Sequence, residues 1–137
     1  MRIHKLEIKN FRGIKSFSHD FGNDNLICLV GRGNSTKSTI LDAIALSLTP
    51  KWTLPFIDSD FFCSDITNDI DIYVTISDIP DKLIDESKFG LYLRQYDSST
   101  QDFAESDNPA SNLITTITLH LNVDSSLEPE WKVISDN

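Results

Sequence analysis

The sequence has few cysteines, no long apolar run and no cluster of potential metal ligands around its cysteines. Cys28 and Cys63 are the two cysteines among 137 residues, and they lie far apart. Their spacing argues against a disulfide scaffold and against a structural zinc site. No apolar run approaches the roughly 20 residues that a membrane-spanning helix needs, and the N-terminal segment alternates charged and apolar residues, unlike a signal peptide. We therefore expect a reduced, cytoplasmic protein with no membrane partner.

Charge is distributed unevenly along the chain, which has a net charge of −9. Residues 1–50 contain seven basic and four acidic side chains, whereas residues 51–137 contain five basic and seventeen acidic ones. A strongly acidic surface mainly confers solubility and repels nucleic acid. We therefore expect the acidic part not to bind DNA by itself, whereas the basic part could receive a small anion.

Hydrophobic patterning predicts strands and one helix in the first 50 residues. Alternation predicts strands over residues 2–9 and 15–21, and the continuous apolar run 26–30 predicts a strand buried on both faces. Apolar residues spaced four apart predict a helix over residues 38–48, which Pro50 ends. These elements indicate an α/β fold with a buried strand leading directly into a helix.

The remainder of the chain is predicted to be a loop followed by an antiparallel β lobe. Residues 51–69 lack periodicity, which indicates a loop, and alternation from residue 70 onward predicts an antiparallel sheet with one face open to solvent. A short helix over 80–86 and a polar loop over 97–112 would connect its strands. The predicted strands cover residues 70–77, 89–94 and 113–123, with a fourth beginning at Trp131. The predicted organisation is one domain, or part of one, made of residues 1–50, 51–69 and 70–137.

A phosphate-binding motif lies between the predicted buried strand and the helix. Residues 31–38 match G-x-x-x-x-G-K-[ST] at every fixed position except Thr36, which replaces the second glycine. A strand–loop–helix junction of this kind directs backbone N–H groups and a positive helix end toward a triphosphate. Lys37 would contact the β- and γ-phosphates, and the Ser38 hydroxyl would bind Mg²⁺. The candidate nucleotide-binding residues in this segment are Gly31, Arg32, Gly33, Asn34, Ser35, Thr36, Lys37, Ser38 and Thr39.

Thr36 is the departure from the motif, and it leaves two interpretations open. Glycine at this position lets the backbone approach the phosphates, whereas threonine at a positive φ would cost about 1–3 kcal/mol. In the first interpretation the loop has adjusted, so that Thr36 has a negative φ and nucleotide still binds. In the second, the loop is distorted and binds nucleotide weakly.

The first half of the chain resembles a known ATPase family. The segment IKNFRG at residues 8–13, the following F-x-x-x-F strand and the segment KSTILDAI at 37–44 are similar to the start of the ABC-type ATPase head of RecF, SMC and OLD (overcoming lysogenisation defect) proteins. The loop 55–62 and the strand after it look most like OLD-type and related predicted ATP-dependent endonucleases. The resemblance is clear over residues 2–48 and weaker over 55–80.

This resemblance implies a P-loop NTPase of the AAA family type. The chain would be the N-terminal part of an α/β head, and such heads bind ATP and Mg²⁺ and often dimerise. It implies that Arg12 lies near the nucleotide phosphates and that Asn34 faces the γ-phosphate. Asp60, in a loop at the family's Q-loop position, would contact Mg²⁺ or water. The complete protein would act in DNA processing or phage defence, and DNA would be bound only by the complete protein.

Hydrolysis in this family needs residues that the sequence does not show. An acidic residue must follow a second buried strand, and a partner head must supply a signature motif. Asp78 ends an alternating, half-exposed strand and is a poor substitute. We therefore expect an N-terminal lobe that is incomplete for hydrolysis on its own.

Two other functions compete with this interpretation. One is a regulatory or protein-interaction module whose degenerate loop binds nucleotide weakly. The other is a P-loop kinase of small molecules, which the antiparallel second half disfavours because such kinases continue as alternating strands and helices.

Overall fold

The computed structural model describes residues 2–22, 35–48, 56–79, 93–97, 102–103 and 113–134. The predicted buried strand at 26–30, the phosphate loop through Asn34 and the predicted helix at 80–86 lie outside these residues. Within the described ranges, a seven-stranded antiparallel sheet packs one face against helix α1. The expected mixture of a helix and an antiparallel sheet is therefore confirmed.

The elements follow the predicted order, with shifts at their ends. The elements are β1 (Arg2–Phe11), β2 (Ile14–Asp20), α1 (Ser35–Leu48), β3 (Ile70–Ser77), β4 (Leu93–Asp97), β5 (Asp102–Phe103), β6 (Leu113–Val123) and β7 (Pro129–Ile134). Two single turns of 3-10 helix, Asp58–Asp60 and Phe62–Ser64, lie in the segment predicted to be a loop. Strands β3 and β6 match their predicted ranges. Helix α1 begins three residues earlier than predicted, because its polar first turn carries no apolar periodicity to reveal it.

The sheet joins the first strands of the chain to the last ones. Its order is β2-β1-β3-β6-β4-β5, and β7 also pairs with β6. Strand β1 pairs with both β2 and β3, so the predicted β lobe also includes the strands of the first 20 residues. Residues 113–117 of β6 pair with β4, whereas residues 118–123 pair with β7, so these two strands share one edge of β6.

One face of the sheet forms the hydrophobic core beneath α1. Because side chains alternate between the faces of a strand, the apolar residues of β1, β3 and β6 lie together on this face. Helix α1 contributes Ile40 and Ala43 to the core. Trp131 of β7 also contacts the helix, since its Nε1 donates a hydrogen bond to the carbonyl oxygen of Leu46 at 3.1 Å. The fully buried strand residues of this core are Leu6, Ile8, Phe11, Ile70, Ile72, Val74, Leu121 and Val123.

The prediction that the other face is open to solvent is wrong at one end of the sheet. Thr75, Thr116 and Thr118 are buried there, and Tyr96 of β4 is fully buried. The Tyr96 hydroxyl donates a hydrogen bond to Asp20 of β2, and three strands lie between β4 and β2 in the sheet order. The sheet therefore curls back on itself, and this curl covers side chains that strand alternation alone assigns to solvent.

Strand β5 lies within the segment that was predicted to be a polar loop, so that prediction is wrong at residues 102–103. Its Phe103 pairs with Tyr96 and packs edge-on against the Tyr96 ring, with centroids 5.3 Å apart. The Arg94 guanidinium lies 3.6 Å from the Phe103 ring centroid. A strand of two residues is too short for sequence alternation to reveal, and it forms here because Phe103 covers the curled face.

Candidate functional site

The described part of the phosphate motif is the first turn of α1. Ser35 and Thr36 begin the helix, Lys37 is half-buried, Ser38 is exposed and Thr39 is buried. The first N–H groups of a helix have no partner within the helix, and together with the helix dipole they favour an anion. The roles predicted for these side chains stay predictions. The remaining predicted residues, Gly31, Arg32, Gly33 and Asn34, lie outside the described residues.

Helix α1 includes Thr36, and this bears on the departure from the motif. A residue inside an α-helix has a right-handed backbone with a negative φ. This agrees with the adjusted-loop interpretation for Thr36, in which the strain of a positive φ does not arise.

Arg12 lies in the two-residue turn that joins β1 to β2. Its φ is 51°, in the left-handed region that costs a non-glycine residue about 1–2 kcal/mol. The Arg12 backbone N–H donates a hydrogen bond to the carbonyl oxygen of Asp60 at 2.7 Å. An isolated bridge pairs Phe11 with the buried Phe61 beside it. These contacts, made by residues about 50 positions further along the chain, hold the turn in its unfavourable conformation.

The Arg12 guanidinium joins two carboxylates. Its Nε donates a hydrogen bond to Asp60 Oδ1 at 3.2 Å, and its Nη1 donates one to Asp42 Oδ2 on α1. The group also lies 4.8 Å from the Phe11 ring centroid. Partial burial lowers the pKa of Arg12, but the hydrogen bonds and charges of Asp42 and Asp60 outweigh it and raise the pKa above its ordinary value. Arg12 is therefore a permanently charged link between the β1–β2 turn, α1 and the Asp58–Asp60 turn.

The two ion pairs of Arg12 differ in how firmly they are held. The Asp60 side chain is 16% exposed, and its second oxygen accepts a hydrogen bond from the Ile57 backbone N–H at 3.0 Å. The Asp42 side chain is 52% exposed and lies on the helix surface. Asp60 is thus fixed by its surroundings, whereas the Arg12–Asp42 contact is open to water. The predicted contact of Asp60 with Mg²⁺ stays a prediction.

The sequence patterns did not single out Asp42. It lies four residues after Ser38, so the two share one face of α1. Helical side chains lean toward the N-terminus, which brings the Asp42 carboxylate toward the Ser38 end of the helix. A signal was present, because Asp42 is a charged residue within the apolar segment ILDAIAL, but its partner Arg12 is 30 residues away.

Asp78 does not belong to this group of residues. It follows the last residue of β3, has a φ of 56° and forms an ion pair with Arg2 at 3.6 Å. Arg12 lies beyond the opposite end of β3, because β1 and β3 are antiparallel. The eight residues of β3 extend over roughly 26 Å at about 3.3 Å per residue. The structure therefore places Asp78 far from Arg12 and from the Asp42 and Asp60 carboxylates that contact it.

In the described ranges, no three His, Cys, Asp or Glu side chains are placed to hold a metal ion. No helix among the described residues is long and apolar enough to cross a membrane.

A helix that begins within a phosphate motif, as α1 does, is typical of a nucleotide-binding protein. The AAA ATPase domain family matches residues 1–132 of the chain. The chain therefore belongs to the AAA ATPase domain family. No curated protein matches the sequence. Family membership supports nucleotide binding and implies the use of ATP, together with Mg²⁺.

Proposed function

We propose that this chain is the ATP- and Mg²⁺-binding lobe of an ATPase of the OLD and RecF type. The observation that carries the proposal is the match to the AAA ATPase domain family over a chain whose phosphate motif leads into α1. The IKNFRG segment that resembles these ATPases also contains Arg12, whose guanidinium reaches α1 one turn after Ser38.

The residues of the first helical turn would hold the phosphates and the metal ion. Backbone N–H groups at the start of α1 would donate to the phosphate oxygens, and the half-buried Lys37 would neutralise the β- and γ-phosphates. The exposed Ser38 would supply its hydroxyl to Mg²⁺. Arg12 would lie beside the phosphates, with Asp60 behind it.

The complete protein would be a cytoplasmic ATPase whose heads dimerise. We place it in DNA processing or phage defence, and we expect this chain to be incomplete for hydrolysis without a catalytic carboxylate and a partner's signature motif. DNA contacts would come from the complete protein, because the excess of acidic residues over 51–137 opposes the phosphate backbone.

Calorimetric titration with Mg·ATP tests the proposed site. Lys37→Ala should weaken binding by about 10- to 100-fold, because it removes charge-assisted contacts worth about 1.5–3 kcal/mol. Lys132→Ala is the matched control, since Lys132 is an exposed lysine on β7 that forms an ion pair with Glu130. This control should bind Mg·ATP as the unchanged chain does. Equal affinities for the unchanged chain and Lys37→Ala would contradict the site.

The second candidate is a regulatory or protein-interaction module with weak nucleotide binding. The observation that favours it is the replacement of the second motif glycine by Thr36. The two candidates differ in the affinity for ATP itself. Tight binding that depends on Lys37 supports the ATPase lobe, whereas binding that is weak and insensitive to Lys37→Ala supports the module.

A further inference from the structure

We propose that Asp42 competes with nucleotide phosphates for the Arg12 guanidinium. Asp42 binds the guanidinium in the absence of nucleotide, and a phosphate oxygen takes the place of Asp42 when nucleotide binds. The inference rests on the proposed function, because it concerns the same nucleotide site. It assigns opposite roles to the two carboxylates that contact Arg12. Asp60 anchors the arginine, and Asp42 occupies the position that a phosphate oxygen would take.

The two carboxylates that contact Arg12 differ in exposure and in the number of contacts they make. Arg12 is tied to Asp60 twice, by the backbone hydrogen bond of 2.7 Å and by the Nε–Oδ1 contact of 3.2 Å. Asp60 is also fixed by the Ile57 N–H, and its side chain is only 16% exposed. Asp42 makes a single contact with Arg12, through Nη1, from a side chain that is 52% exposed. Exposed ion pairs are weak and exchange with water or with other ions. The Nη1 group of Arg12 can therefore exchange Asp42 for another anion.

Asp42 lies on the same face of α1 as Ser38. Four helical residues correspond to about 6 Å along the helix axis, so Asp42 lies one turn from Ser38 and its side chain leans toward it. The guanidinium that contacts Asp42 therefore lies about one helical turn from Ser38 and about two turns from Ser35, where α1 begins. If Arg12 keeps its contacts with Asp60, only the Nη1 end of the guanidinium has to move to reach a phosphate oxygen.

The charges around Arg12 also favour an exchange of Asp42 for phosphate. Asp42 and Asp60 together carry two negative charges against the single positive charge of Arg12. A polyphosphate at the start of α1 would be repelled by the exposed Asp42 carboxylate and attracted by Arg12. Guanidinium groups bind phosphate and carboxylate oxygens with the same planar geometry. When a phosphate replaces Asp42 as the partner of Arg12, the guanidinium still has an anionic partner. The phosphate is then also separated from the negative charge of Asp42.

The proposal predicts effects of opposite sign for the two carboxylates. Asp42→Asn should raise the affinity for Mg·ATP by about two- to fivefold, the range expected for an exposed ion pair. Asp60→Asn should lower the affinity, because Arg12 loses its anchor. If both carboxylates only held the structure together, both substitutions would weaken binding.

The experiment is a calorimetric titration of the full chain with Mg·ATP, with the melting temperature of each variant measured in parallel. Glu130→Gln is the matched control, since it removes one carboxylate from another exposed ion pair, with Lys132 on β7. A gain for Asp42→Asn, a loss for Asp60→Asn and no change for Glu130→Gln support the proposal. An equal gain for Glu130→Gln overturns it, because the effect would then be a general change in net charge.

A double-mutant cycle connects the effect to Arg12. In the Arg12→Ala background, Asp42→Asn should no longer raise the affinity beyond the effect of Glu130→Gln. Persistence of the full gain without Arg12 overturns the inference. If Lys37→Ala weakens binding but Asp42→Asn does not strengthen it, the inference fails and the proposed function stands. If the chain does not bind Mg·ATP, or binds it independently of Lys37, both fail.

Discussion

The buried hydroxyl of Tyr96 donates a hydrogen bond to the carboxylate of Asp20, 76 positions earlier in the chain. Tyr96 lies on β4 and Asp20 on β2, which are separated by three strands in the sheet order. The Tyr96 ring also packs edge-on against the buried His4 ring, with centroids 4.6 Å apart. This contact between distant strands maintains the curl of the sheet, and its loss should be measurable.

Tyr96→Phe should lower the free energy of unfolding by about 1.5–3 kcal/mol, because it removes a hydrogen bond to a charged group. Chemical denaturation measures the change. Tyr73→Phe is the control, since Tyr73 is half-buried and no hydrogen bond of its hydroxyl is found among the described residues. We expect that control to change stability by less than about 0.5 kcal/mol. Equal losses in the two variants would contradict the role of the Tyr96–Asp20 contact.

Arg12→Gly should be more stable than Arg12→Ala by about 1 kcal/mol. Both variants lose the ion pairs with Asp42 and Asp60, but only glycine relieves the left-handed backbone at φ 51°. Thermal and chemical denaturation measure the difference. Gly13→Ala is the control in the same turn, where alanine in place of glycine should not lower the stability. An added Cβ at Gly13 meets no atom within 4 Å, and Gly13 has no positive φ. If alanine and glycine at position 12 are equally stable, the turn is not strained.

Thr36→Gly should change the affinity for ATP by less than about threefold. The reason is that Thr36 already lies within α1, so restoring the motif glycine relieves no unfavourable φ. Calorimetric titration with Mg·ATP measures the effect. A gain of tenfold or more, about 1.4 kcal/mol, would show that threonine impairs the natural loop. That result would favour the regulatory module over the ATPase lobe.

The sequence predicted the regular parts of the fold well. Strict alternation predicted β3 and β6 at the residues where they occur, since burial of one sheet face requires a period of two. The rows of apolar residues four apart predicted the body of α1. The family was also recognisable from the sequence, because a phosphate motif is a continuous segment whose chemistry depends on residues adjacent in the chain. The assignment to the AAA ATPase domain family supports that interpretation at the coarser level.

Only the tertiary structure decided the curl of the sheet and the partners of Arg12. Tyr96 and Asp20 are 76 positions apart, and Arg12 is separated from Asp42 and Asp60 by 30 and 48 positions. Periodicity reports which face of one element is apolar, but it carries no information on which distant element covers that face. The threonines predicted to face solvent are buried for this reason. In the same way, the resemblance pointed to Arg12 and Asp60 separately, but the ion pairs of Arg12 with Asp60 and Asp42 arise only when β1, α1 and the Asp58–Asp60 turn pack together.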